Sequence, residues 1–206
     1  MSAIIAAMRA LCEAGATRGG EVKEACETLL ASVPWHTPLI PSDAVLLPVV
    51  RERLEQACRL SGESGTPERA LADAVAAEGL GLAWREMYGE YDDEPDLASF
   101  RRVYAYTLLV GPEAPLKSDR FKLGVTLQGP DALYPSHAHR PSELYAVIGG
   151  TADWRKGSEP WTRRPPGDIV VHPSGVRHAT QTHSEPLLAF VAWLSHIDSP
   201  VVIVRG

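Results

Sequence analysis

The segment His137-Ala-His139-Arg-Pro-Ser-Glu143-Leu-Tyr145, answered later in the chain by His178, holds side chains whose types and spacing could do chemistry. Two histidines at i and i+2 of an extended strand point to the same side. Glu143 and Tyr145 share a parity, so one extended segment aims four metal-competent or acid–base groups at one spot. His178 would add a third imidazole. Three neutral nitrogens and a carboxylate oxygen suit a divalent first-row metal with open positions for a ligand. Six of the seven histidines fall between residues 137 and 196, which argues against a random scatter over the surface.

These groups sit in the second half of the chain, where the texture is β-rich. Val103–Val110, Phe121–Leu127, Glu143–Ile148, Thr151–Arg155, Asp168–His172, His178–Thr182, Leu187–Leu194 and Val201–Val204 are short strand-like runs. Gly111-Pro112, Gly129-Pro130, Gly149-Gly150 and Pro165-Pro-Gly167 punctuate them as turns. Short strands at roughly even spacing, without helices between them, predict a sandwich or barrel.

The first half reads as helical. Ser2–Ala14 carries Ile4, Ile5, Met8, Leu11 and Cys12 at helical spacing, and Glu21–Val33 repeats the pattern up to Pro34. Ser42 could cap a third helix running to Leu60, with Pro48 in its first turns or kinking it. Thr66-Pro67-Glu68 is a start signal for a fourth, reaching Trp84 or Met87 despite Gly79 and Gly81. The acidic run Tyr91-Asp-Asp-Glu-Pro-Asp96 reads as a linker, dividing a helical segment (1–97) from a β-barrel (98–206).

Composition excludes several classes of partner. The net charge is −6, and the helical half carries 17 acids against 8 bases. Neither nucleic acid nor an anionic membrane surface is expected. Cys12, Cys26 and Cys58 form no CxxC pair, which reads as buried, reduced thiols of a cytoplasmic protein. No leader with a charged and then an apolar region opens the chain, and no apolar run is long enough to span a bilayer.

His137-x-His139-x3-Glu143-x6-Gly150 and Gly167-x5-Pro173-x-Gly175-x2-His178 resemble the two motifs of the cupins. The resemblance covers about residues 100–200. It implies a mainly β fold, a cupin double-stranded β-helix (jelly-roll) barrel preceded by an N-terminal helical segment. It also implies one divalent transition metal (Fe, Zn, Mn, Co or Ni) held by His137, His139, Glu143 and His178. The sequence departs from the pattern twice. The glycine opening the first motif sits further upstream, at Gly129, and Thr182 replaces the asparagine that usually follows the last histidine.

Tyr134, Tyr145, Trp193 and the helical N-terminal segment narrow the resemblance to the cupin-type dimethylsulfoniopropionate (DMSP) lyases of marine bacteria. What that implies is β-elimination of DMSP, a small zwitterionic carboxylate, to dimethyl sulfide and acrylate. Tyr145 would act as base. A tyrosine titrates near about 10 in water, but a neighbouring divalent cation favours its phenolate. Tyr134 is a second catalytic candidate. The sulfonium needs aromatic faces, for which Tyr134 and Trp193 are the first candidates and Tyr104, Tyr106 and Trp154 weaker ones. His172 reads as a surface or supporting group, His183 and His196 as solvent-facing, and Arg140 and Arg155 as solvated. The same ligands would serve a dioxygenase or isomerase acting on a small acid or sugar, or a non-catalytic ligand-binding cupin. The helical segment covers one barrel mouth or makes a homodimer contact.

Overall fold

The computed structural model describes residues 2–37, 39–40, 42–87 and 95–205. Four helices come first: α1 (Ala3–Ala16), α2 (Gly20–Ser32), α3 (Pro48–Arg59) and α4 (Pro67–Glu78), followed by a 3-10 turn at Gly79–Gly81. The Ser2 hydroxyl caps α1 by accepting from the Ile4 N–H at 3.2 Å. Thr66 caps α4 in the same way through the Arg69 N–H at 3.4 Å, with Pro67 at its first position.

The structure corrects two helix boundaries. The third helix starts at Pro48 rather than near Ser42, because proline's fixed φ and missing N–H suit the first helical position. Residues 42–47 are not helical, and Val45 bridges to Ala83. The fourth helix stops at Glu78, with Gly79 at its C-terminal cap, and does not reach Trp84. Residues 91–94 of the expected acidic linker lie outside the described residues. A helix not foreseen from the sequence, α5 (Pro95–Arg102), begins directly after them.

Eleven strands follow: β1 (Tyr104–Gly111), β2 (Leu116–Lys117), β3 (Lys122–Gln128), β4 (Leu133–Ala138), β5 (Glu143–Gly149), β6 (Ala152–Lys156), β7 (Thr162–Arg164), β8 (Ile169–His172), β9 (His178–Thr182), β10 (Leu187–Trp193) and β11 (Val202–Ile203). They form a six-stranded sheet ordered β2-β1-β3-β10-β5-β8 and a five-stranded sheet ordered β11-β4-β9-β6-β7. All pairings are antiparallel except β1 with β2. The two sheets form the expected jelly roll. Thr182 takes over a turn-holding task at its seam: its hydroxyl donates to the Gly129 carbonyl at 2.6 Å and accepts from the Ala132 N–H at 3.0 Å. Among the described residues, no helix is long and apolar enough to cross a membrane.

The six-stranded sheet is buried on both faces. One parity of its strands, including Leu123, Val125, Leu144, Ala146, Leu188 and Phe190, packs into one core with Ile4, Met8, Leu29, Leu54, Leu71 and Val75 of the helices. The other parity, including Lys122, Thr126, Glu143, Tyr145, Val191 and Trp193, faces a cavity between the sheets. This double burial is why β5 reads as an unbroken buried run. The helices therefore cover an outer sheet face, which supplies the apolar partner that short amphipathic helices need.

Helices and sheet approach closely at Gly149. A Cβ there would strike the Ala57 carbonyl at the end of α3, and the neighbouring Gly150 N–H donates to the Leu60 carbonyl at 3.0 Å. Gly149→Ala is expected to force α3 off the sheet and cost about 1–3 kcal/mol of unfolding free energy, as overpacking does. Urea denaturation checks this; an unchanged midpoint would contradict the packing described.

Candidate metal centre

The histidines and Glu143 reach one point from both sheets. His137 lies on β4, opposite His178 on β9 in the ladder. His139 follows the end of β4, and Glu143 opens β5 in the other sheet. The expectation of a single extended segment is thus corrected. Two strands separated by a turn supply these groups, and their convergence comes from the sheets facing each other. The second motif acts through its turn: Gly175, at φ +74°, donates its N–H to the His139 carbonyl at 2.9 Å. That bond docks the turn before His178 against the backbone of His139. Such a positive φ is readily adopted only by glycine.

The imidazoles are oriented by their backbone partners. Nδ1 of His137 lies 2.8 Å from the Pro135 carbonyl, that of His139 3.0 Å from Pro141, and that of His178 2.9 Å from Val176. A carbonyl only accepts, so each Nδ1 carries the proton and the neutral ring presents a bare Nε2 inward. Ligand atoms of the three rings lie within 4.8 Å of one another.

Glu143, 2% exposed, completes the cluster. Its Oε2 is 3.1 Å from Nε2 of His139 and 3.1 Å from Nε2 of His178. The His178 contact is not aligned as a hydrogen bond, and that nitrogen is buried without a hydrogen-bond partner. The other oxygen, Oε1, accepts the Trp193 indole N–H at 2.6 Å. Two bare nitrogens facing a carboxylate oxygen repel unless a cation lies among them, whether protons or a metal ion. The donor set fits a divalent metal on this ground.

The pKa directions of Glu143 and His139 show the same demand for positive charge, whereas His137 is held neutral. Burial opposes ionisation of Glu143, yet the His139 hydrogen bond and the neighbouring His178 outweigh it and hold the carboxyl well below its usual range. Burial likewise opposes protonation of His139, but Glu143 outweighs it and raises that group. Burial, reinforced by His178, drives His137 well below the ordinary histidine range.

Aromatic rings brace the cluster. Tyr134 stacks on His137 at 3.9 Å between centroids, and Phe100 stacks on Tyr134 at 4.3 Å. Tyr134, expected as a face for a sulfonium, thus stacks with both Phe100 and His137 and also lines the cavity. The stack is possible because the β4–β9 register shifts between Tyr134 and His137, around Pro135. His172 is fully buried, not at the surface; it stacks on His178 at 4.1 Å and 8°, and both its nitrogens lack partners. Burial, then the charge of His178, lowers it to about 3.

The cavity beside the cluster is about 130 Å³ and includes Tyr104, Tyr106, Tyr134, Tyr145 and Trp193 in its lining. Trp154 does not line it. Instead it packs against Tyr145 with ring centroids 5.0 Å apart. Met87 and Lys122 also line the cavity and were not singled out by sequence reasoning. The Lys122 ammonium lies 5.3 Å from the centroid of the Trp193 ring, so a cation already occupies the vicinity of that expected sulfonium site. The only sequence signal for Lys122 was a charged residue at the start of an otherwise apolar strand. His183 and His196 are exposed, and Arg155 lies over Trp161 at 4.8 Å.

The sequence and fold have parallels among known proteins. A profile of the dimethylsulfoniopropionate lyase family matches residues 43–189. The chain is 30% identical over 167 residues to the dimethylsulfoniopropionate lyase DddQ of Ruegeria pomeroyi, covering 80% of this chain and 82% of that protein. It superposes on the crystal structure of DddQ from Ruegeria pomeroyi DSS-3 with a TM-score of 0.74 and 26% identity, covering 98% and 96% of the two chains. A cupin-superfamily sugar phosphate isomerase from Silicibacter pomeroyi shares the fold at a TM-score of 0.50 and 16% identity, over 61% of this chain and 78% of that one.

Calorimetric titration of zinc into chelator-treated protein is expected to show one site per chain, abolished in His139→Ala. Trp193→Phe removes the indole donor to Glu143 and is expected to weaken zinc binding about 10–100-fold, as loss of a supporting hydrogen bond does. Unaltered affinity in both variants would contradict the geometry described.

Proposed function

We propose, because the chain belongs to the dimethylsulfoniopropionate (DMSP) lyase family, that it is a carbon–sulfur lyase cleaving DMSP to dimethyl sulfide and acrylate by β-elimination. The observation that carries the reading is the set of inward-facing imidazole nitrogens beside the buried Glu143 carboxylate, at the wall of an aromatic-lined cavity.

His137, His139, Glu143 and His178 are the residues that would hold one divalent transition-metal ion, of iron, zinc, manganese, cobalt or nickel. When bound, that ion supplies Lewis acidity, which acidifies the carbon next to a substrate carboxylate. Tyr145 lies two residues beyond Glu143 on β5 and lines the cavity, which suits it to receive the proton from that carbon. The electrons of the broken C–H bond form the new double bond. The C–S bond breaks, and dimethyl sulfide leaves as a neutral molecule that needs no acid. Tyr134, clasped between Phe100 and His137, holds His137 in place through the stack. Tyr104 and Tyr106 supply further aromatic surface in the cavity lining, where a sulfonium is stabilised by about 0.5–2 kcal/mol per ring.

Purified protein loaded with each metal in turn and given DMSP is expected to release dimethyl sulfide into the headspace. Tyr145→Phe is expected to lower the rate by roughly 10²–10⁴-fold, the usual contribution of a positioned base, while metal content stays unchanged. Failure of wild type to release gas with any metal removes the lyase reading. Full activity in Tyr145→Phe removes only the role of the phenol.

A further inference from the structure

The cavity's two formal charges cancel in sum but are not paired with each other. Among the described residues lining it, the formally charged side chains are Glu143 and Lys122. Both oxygens of Glu143 are engaged, by Trp193 on one side and by His139 and His178 on the other. Lys122 is half-buried, and its ammonium donates to the Ile197 carbonyl at 2.6 Å. No carboxylate among the described residues lies within ion-pair distance of it. An ammonium carries three donors, so two are left for a ligand. A partly desolvated cation without a counter-ion is costly to keep unless an anion arrives to meet it.

Strand register fixes where this cation sits. Lys122 is opposite Trp193, Trp193 is opposite Glu143, and Glu143 is opposite His172. One rung across four strands thus carries both the ammonium and the carboxylate of the candidate metal centre. Tyr106 is opposite Thr126, four residues further along β3, roughly 13 Å away at about 3.3 Å per residue. A lysine side chain and a three-carbon zwitterion together span that distance.

We propose that Lys122 is a specificity-determining residue that receives the substrate's carboxylate and thereby fixes the direction of the zwitterion. This rests on the DMSP reading only for the identity of the zwitterion. The carboxylate meets the ammonium on the Glu143 rung. The sulfonium is repelled from Lys122, and so from Trp193 beside it, toward Tyr104, Tyr106 and Met87. In this orientation the carbon that loses its proton is the one next to the anchored carboxylate. The ammonium also stabilises the negative charge that builds there as the proton leaves.

Calorimetry with propionate and with trimethylsulfonium separates the two ends of the substrate, using wild type, Lys122→Met, Lys122→Gln and Lys122→Arg, each checked by thermal melting. The methionine keeps the alkyl stem against Trp193 and drops the charge. Propionate affinity is expected to fall by about tenfold or more in Lys122→Met and Lys122→Gln, consistent with loss of a charged hydrogen bond. It is expected to recover in Lys122→Arg, while trimethylsulfonium binding holds or tightens and the KM for DMSP rises. Propionate binding that is absent in wild type, unchanged without the charge, or lost together with trimethylsulfonium binding would overturn the proposal. A wild type that binds propionate through Lys122 yet releases no dimethyl sulfide would retire the lyase reading and leave the anchor standing.

Discussion

The site depends on one electrostatic constraint. A buried carboxylate oxygen of Glu143 lies 3.1 Å from each of two imidazole nitrogens whose partner nitrogens already donate to backbone carbonyls. Left as neutral rings against an anion, these lone pairs repel at close range in a medium that screens poorly. Positive charge must enter. The backbone carbonyls of Pro135, Pro141 and Val176 set the tautomers, and the turn at Gly175 sets the distance. The chemistry is thus written largely in main-chain geometry, and the side chains answer to it.

That geometry needs a rigid wall, and the six-stranded sheet provides it. Its outer parity is sealed by helices α1 to α4 in one continuous core, which frees its inner parity for unusual groups. A strand exposed to water on one side would be a poor support for a buried anion. Gly149 shows how tightly the layers meet, since the backbone of α3 occupies the space a side chain would need. Wedged between helices and cavity, β5 carries Glu143 and Tyr145 on one face and Leu144, Ala146 and Ile148 on the other.

Much of this could be read from the chain, for definite reasons. His178–Thr182 has the strand boundaries expected of it, because turn residues bracket it on both sides. The His-x-His-x3-Glu spacing identified the cluster because it ties residue type to turn geometry. β4 was not foreseen as a run, since Pro135 interrupts its pattern at the register shift. His172 read as a surface or supporting group at the end of a strand beside Pro173, yet its pairing with Glu143 carries it inside. The placements of Trp193 and Lys122 were hidden for another reason. An indole that donates to a carboxylate, or a lysine that faces a cavity, looks in sequence like a packed aromatic or a solvated charge. Only cross-strand register, a property of non-local pairing, distinguishes them.

The central claim is that a single cation satisfies the imidazole nitrogens and the Glu143 oxygen together. X-ray absorption spectroscopy at the metal edge of the zinc-loaded protein tests it most directly. The expected first shell holds three imidazole nitrogens and oxygen donors at roughly 2.0–2.1 Å, with no sulfur. A shell with fewer than three imidazoles, or one containing sulfur, would contradict the account.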